Sequence, residues 1–131
     1  MSYLPSDLKY TDAHLWVRAE DDGTVTIGLT DHVQLQLGTI YSVEAPTVGE
    51  HLDVGEECIA VEAEQTNLEM FSPISGEIVE INEDLVDSPT LINADPYDDG
   101  WIVQLRPDDI SELDDLMDVD DYQEMIEEEE E

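Results

Sequence analysis

The stretch Val61-Glu62-Ala63-Glu64-Gln65-Thr66-Asn67-Leu68-Glu69-Met70-Phe71-Ser72-Pro73-Ile74-Ser75-Gly76-Glu77 decides how this chain folds. It continues the strand pattern Glu57-Cys58-Ile59-Ala60-Val61-Glu62 into a polar segment, Ala63 to Glu69. Turn formers at Pro73 and Gly76 follow, and Glu77-Ile78-Val79-Glu80-Ile81 resumes a strand. Short strands around a polar reversal predict a hairpin inside a β-rich unit. No residue from Cys58 to Gly76 is a lysine.

The same punctuation extends outward. Ile40-Tyr41-Ser42-Val43 precedes the turn signals Pro46-Thr47-Val48-Gly49, and Trp101-Ile102-Val103-Gln104-Leu105 follows Pro96 to Gly100. This spacing predicts a small sandwich or flattened barrel and not alternating βα units. Val48 to Gly55 and Ile74 to Ile81 look like two copies of one pseudo-symmetric element, each with a glycine where the chain turns beside an apolar strand. Toward the N-terminus, Lys9-Tyr10-Thr11 and Leu15-Trp16-Val17 predict short strands, and Asp22-Gly23 before Thr24 to Leu29 predicts a hairpin.

Two segments read as helical. Thr30-Asp31 is a good N-cap and Gly38 a good stop, so residues 30–38 are expected to form a short helix, although Val33, Leu35 and Leu37 also alternate as a strand would. After Pro107, Ser111 is a candidate cap for a helix that places Leu113, Leu116 and Met117 on one face. A second short helix is expected from Asp118 with Tyr122, Met125 and Ile126 inward. Residues 1–126 are thus expected to form a single domain, and 127–131 a solvated acidic tail.

Three basic residues, Lys9, Arg18 and Arg106, face 36 acidic ones, for a formal net charge of −33. Such a field repels nucleic acid and anionic membranes, so neither is an expected partner. Fourteen of the acidic residues fall in 108–131 and 22 in the first 107, so the depletion of basic residues is global. That pattern favours adaptation to a salty milieu, where screening relieves self-repulsion, over a local acidic binding face. With no run near the roughly 18 apolar residues of a membrane span and no basic-then-apolar leader, a soluble, cytoplasmic monomer is expected. Cys58, in an apolar run, reads as a small buried hydrophobe and not a reactive thiol.

Catalytic signatures are missing. No G-x-S-x-G, P-loop, Rossmann fingerprint or EF-hand loop occurs, and the carboxylate runs read as solvated faces. His14 and His51 have no spacing that suggests metal ligation, and His32, just after a helix cap, reads as a structural hydrogen-bonder. No catalytic residue and no metal site is therefore expected.

Separated blocks, in order, carry a resemblance across essentially the whole chain. They are Leu8-Lys9-Tyr10-Thr11 with His14 and Trp16-Val17, then Ile27-Gly28-Leu29-Thr30-Asp31-His32 with Gln34. Asp87-Ser88-Pro89 with Leu91-Ile92-Asn93, Asp95-Pro96-Tyr97 and Gly100-Trp101 follows, and then Ser111 to Leu116. Together with the hairpin they make the chain resemble the glycine cleavage system H-protein family. The resemblance implies a mainly β, lipoyl/biotinyl-type hybrid of two small antiparallel sheets with a short helix near 30–38 and C-terminal helices. It also implies a carrier, not a catalyst, whose lipoyl-lysine at a hairpin tip serves a pyridoxal-phosphate decarboxylase, an aminomethyltransferase and a dihydrolipoamide dehydrogenase.

In register, Gln65 stands where that family has the lipoyl-lysine. Lipoate is attached as an amide to a lysine ε-amine, whereas the glutamine carboxamide is not a nucleophile. Gln65 is accordingly expected to be unmodified and the chain to carry no cofactor. The surroundings depart too: Leu68-Glu69 replaces the family's small residue and aspartate, and Leu15 replaces an acidic residue between His14 and Trp16. Leu15, His32, Asn67, Leu68 and Glu69 are read as a vestigial cleft for the arm, lost together by divergence and not by one engineered change.

The main expectation is a non-lipoylated homologue acting by protein binding, as regulator, decoy or assembly factor for the glycine cleavage enzymes or a lipoate-attaching enzyme. The alternatives are a working H-protein, the lipoyl carrier of aminomethyl groups, and a repurposed acidic protein that binds a basic partner.

Overall fold

The computed structural model describes residues 4–130, Glu130 by its backbone only. Nine strands form two antiparallel sheets. The larger has the order β1 (Lys9–Tyr10), β2 (Leu15–Ala19), β3 (Val25–Leu29), β9 (Val103–Pro107), β8 (Gly76–Ile81), β5 (His51–Leu52). The smaller has the order β4 (Ile40–Glu44), β6 (Glu57–Ala63), β7 (Asn67–Phe71). The architecture is the expected two-sheet hybrid, mainly β and open at the sheet edges.

The sheets close over a core that includes Leu15, Ile27, Leu29, Ile59, Val61, Ile74, Ile78 and Leu105. Burying such side chains contributes about 1.5–3 kcal/mol each before the entropy of ordering is set against it. The two look-alike segments pair with each other, His51 opposite Glu77 and Leu52 opposite Gly76. Gly76 is also pressed against β9: a Cβ there would lie 2.5 Å from the Arg106 carbonyl oxygen. The expected N-terminal hairpin forms, with Leu15 opposite Leu29 and Ala19 opposite Val25, across a turn where Gly23 takes φ 89°.

A second, aromatic cluster covers the other face of β2. Tyr10, Trp16, Tyr122 and Ile126 are buried there, with the Tyr10 and Tyr122 rings stacked at 4.8 Å. Trp16 donates its indole N–H to the Pro96 carbonyl at 2.9 Å and lies against Gly28, where a Cβ would come within 2.7 Å of the ring. This cluster docks the C-terminal helix.

Helix α1 (Asp31–Leu37) is capped as expected: Thr30 Oγ1 accepts from the Val33 N–H, and Gly38, at φ 74°, ends it by donating to the Gln34 carbonyl. The helical period wins over the alternation because His32, Val33, Gln34 and Leu37 share the buried side, leaving Leu35 56% exposed. Two one-turn helices, α2 (Asp84–Asp87) and α3 (Leu91–Ala94), form where no helix was expected.

The C-terminal region differs from the expectation in three respects. The first element is a 3-10 helix, Ile110–Asp115, capped by Asp109, whose carboxylate accepts from the Ser111 N–H and hydroxyl. Ser111 is therefore a donor to the cap and not the cap. The second is one longer helix, α4 (Val119–Glu130). Residues 127–130 continue this helix, with Glu127, Glu128 and Glu129 exposed, beyond the turns that Tyr122 and Ile126 anchor.

Candidate functional site

Strands β6 and β7 form a hairpin, with Val61 opposite Leu68 and Glu62 opposite Asn67. The polar stretch from Ala63 to Glu69 thus divides: the reversal occupies Glu64 to Thr66, and Asn67 already belongs to the second strand. Ala63 N–H donates to the Thr66 carbonyl at 3.2 Å, and Gln65 sits at the tip with its side chain exposed.

The backbone of that tip is tightly held. Gln65 N–H donates to the Leu37 carbonyl at 3.0 Å and Glu64 N–H to the Thr39 carbonyl at 2.8 Å. The hairpin therefore leans on the end of α1 and the start of β4. Gly38 allows the approach: a Cβ there would lie 2.8 Å from Glu64 Oε1 and 3.5 Å from Gln65 Cγ. Beneath it, Asn93 Nδ2 donates to the Gly38 carbonyl at 2.7 Å and to Gln34 Oε1 at 3.0 Å. Its Oδ1 accepts from Ile40 N–H at 3.0 Å, so every polar atom of the Asn93 carboxamide is engaged. Gly38 and Asn93 thus position residue 65. Their signals were present in the sequence as a helix stop and as part of the Leu91-Ile92-Asn93 block, but neither revealed a contact with the tip.

The other residues read as an arm cleft differ in burial. Leu15 is fully buried in the main core, opposite Leu29, and Leu68 is half-buried against the same core. Both leucines serve packing. Asn67 and Glu69 are exposed on β7. His32 is buried at the start of α1, where its Nε2 lies 3.2 Å from the exposed Gln36 amide.

Chemistry elsewhere in the chain is sparse. Cys58 is buried on β6, and desolvation pushes its thiol up to about 12, which leaves no thiolate for reaction. Lys9, the only lysine, is half-buried on β1 and paired opposite Val17, away from any hairpin tip. Burial lowers His14 from the ordinary imidazole range, the neighbouring His32 adds to this, and Glu129 opposes it.

The arrangement is an exposed side chain on a rigidly held reversal, which suits presentation of a group to another protein. A family model for the glycine cleavage H-protein matches residues 8–129. The chain belongs to the H-protein family. It is 48% identical to the glycine cleavage system H protein of Alkalilimnicola ehrlichii over 99% of this chain and 100% of that one. The corresponding protein of Saccharophagus degradans is 47% identical, over 97% and 98%. The crystal structure of a glycine cleavage system H protein from Mycobacterium marinum superposes with a TM-score of 0.83 at 35% identity, covering 93% of this chain and 98% of that one. H-protein membership brings a carrier fold, not a catalyst, and a general relation to the glycine cleavage enzymes. Among the described residues no helix is long and apolar enough to cross a membrane.

Proposed function

We propose that this chain is a non-lipoylated H-protein homologue that works by docking. Its partners in this reading are the enzymes that ordinarily handle the H-protein: the pyridoxal-phosphate decarboxylase, the aminomethyltransferase, the dihydrolipoamide dehydrogenase, or a lipoate-attaching enzyme. The observation that carries the reading is Gln65 at the exposed tip of a hairpin held by main-chain bonds from Glu64 and Gln65 to Thr39 and Leu37. The presentation device is intact, and the group presented cannot form the lipoyl amide. Lys9 offers no substitute, since it lies in a paired strand. A cytoplasmic location and a salt-adapted surface belong to the same proposal.

The names borne by relatives at 47% and 48% identity favour a second reading, a working carrier of the glycine cleavage system. One experiment separates the two. The chain and its Gln65→Lys variant are incubated with lipoate and a lipoate ligase, and intact masses are measured. The docking reading expects the lipoyl increment on the variant alone; an increment on the parent chain establishes the carrier. Pull-downs with each glycine cleavage enzyme and with the ligase, at high and low salt, then test docking, and failure to retain any of them removes the proposal. The third reading, an acidic protein for a basic partner, would need a complex that dissociates steeply with salt and neighbours in the genome that are less acidic than this chain.

A further inference from the structure

His14 has a positive φ of 66°, alone among the described non-glycine residues. It lies in a tight turn between β1 and β2, where its N–H donates to the Thr11 carbonyl and its own carbonyl accepts from Thr30 N–H. The left-handed backbone is costly for a residue with a side chain, so the fold holds the imidazole where it is. It faces His32, the rings 5.4 Å apart, and both Nε2 atoms approach Glu129 Oε2, at 3.5 Å from His14 and 4.0 Å from His32. One ligand atom from each of the three residues falls within 4.8 Å of the others.

We propose that His14, His32 and Glu129 form a binding site for a divalent transition cation of the zinc type. Two imidazoles and one carboxylate are a borderline ligand set that suits zinc, cobalt or nickel better than magnesium or calcium. Tetrahedral zinc needs its ligand atoms about 3.4 Å apart, so a small inward movement of His32 and Glu129 completes three positions and leaves a fourth open to water. Glu129 is on an exposed helical turn that can supply the movement, and the exposed Gln36 amide gives up its contact with His32.

A supporting shell is already in place. Tyr122 Oη is 2.7 Å from His14 Nδ1 and 2.8 Å from Thr30 Oγ1, so it can accept the Nδ1 proton and donate onward to the threonine. That tautomer leaves a lone pair on Nε2, the atom aimed at Glu129 and His32. The end of α4 also lacks any basic residue, while Glu127, Glu128 and Glu129 crowd a turn whose dipole already disfavours negative charge. A cation there relieves both effects. The ligands stand at positions 14, 32 and 129, which explains why spacing along the chain offered no such set.

Isotope-edited NMR of the three histidines in the intact chain, titrated with zinc under excess magnesium and high salt, tests the site without a mutation. Magnesium and salt occupy or screen the diffuse carboxylates. The expected result is a shift of the His14 and His32 Nε2 resonances at one equivalent, with His51 unmoved. Calorimetry should show one magnesium-resistant zinc site that Glu129→Gln weakens about tenfold or more. His14→Asn, whose side chain tolerates the left-handed backbone, combined with His32→Gln should abolish it, with circular dichroism confirming the fold. Histidine resonances that ignore zinc, or zinc affinity unchanged in folded variants, would reduce the cluster to a proton-linked ion pair and overturn the proposal.

Discussion

Two hairpins in this molecule are built to opposite specifications. In β2–β3 the strands are buried on both faces: every residue of β3 and the first three of β2 are inaccessible, because the main core lies on one side and the aromatic cluster on the other. In β6–β7 one face packs inward through Cys58, Ile59, Val61 and Met70 while the other side and the tip stay in water. The first hairpin is constrained at nearly every side chain; the second is constrained in its backbone and open at residue 65. Such a division fixes the course of the chain at the tip while leaving the side chain of residue 65 free of packing demands.

The sharpest way to break the contrast is at Trp16, which is fully buried, donates to the Pro96 carbonyl and supports Arg18 over its ring at 5.3 Å. Trp16→Ala is expected to cost about 3–5 kcal/mol, read as a lower midpoint in thermal or denaturant unfolding. A loss below about 1 kcal/mol would mean that the doubly covered hairpin is no more constrained than the tip.

Tyr122→Phe probes the link between that cluster and α1. The ring stays stacked on Tyr10, but the hydroxyl that joins His14 Nδ1 to the Thr30 cap disappears, leaving buried polar atoms short of a partner. The expected cost is about 1–3 kcal/mol, smaller than for Trp16 because the apolar contacts remain. Amide exchange should quicken first in α1, whose cap loses its neighbour.

Locally written features were legible in the sequence. The Thr30 cap, the Gly38 stop and the Asp22-Gly23 reversal all depend on residues within a few positions, and all appear as read, whereas β3 is buried on both faces. What escaped depends on tertiary partners. The one-turn helices 84–87 and 91–94 are too short to carry a periodic signal, and α4 extends past Ile126 only because Tyr122 and Ile126 dock against Tyr10 and Trp16. At the tip, Gln65 was read from the resemblance as standing at the lipoyl-lysine position, whereas the grip of Leu37, Thr39 and Asn93 on the tip and its support is a property of the assembled fold. Leu15, read from the resemblance as part of a cleft, is buried in the main core, a burial that the sequence alone did not indicate.

A smaller effect is expected at the sheet edge, where His51 Nε2 meets Asp108 Oδ2 at 2.5 Å. The hydrogen bond to Asp108 raises the His51 pKa above its ordinary value, so the folded state binds this proton more tightly than the unfolded chain. The stabilisation is fully present below about pH 6.5 and fades as pH rises through the folded-state value. His51→Gln should therefore lower the melting temperature slightly at mildly acidic pH and not at alkaline pH. High salt should narrow the gap, since both partners are exposed. A difference that grows with pH would reverse the assigned sign.

The smallest structural effect is expected where the functional effect is greatest. Gln65→Lys places a longer side chain on an exposed tip whose stability comes from the main-chain bonds to Leu37 and Thr39, which involve no side-chain atom of residue 65. The added positive charge enters a chain of net charge −33 with Glu64 beside it, so it relieves repulsion. Unfolding free energy is expected to stay within about 0.5 kcal/mol of the parent chain, checked by denaturant melts at matched salt. If the lysine variant instead loses several kcal/mol, the tip depends on the glutamine itself. Residue 65 would then be a structural position that has ceased to be a presentation site, and the contrast between the constrained hairpin and the open one would fail at the residue that motivated it.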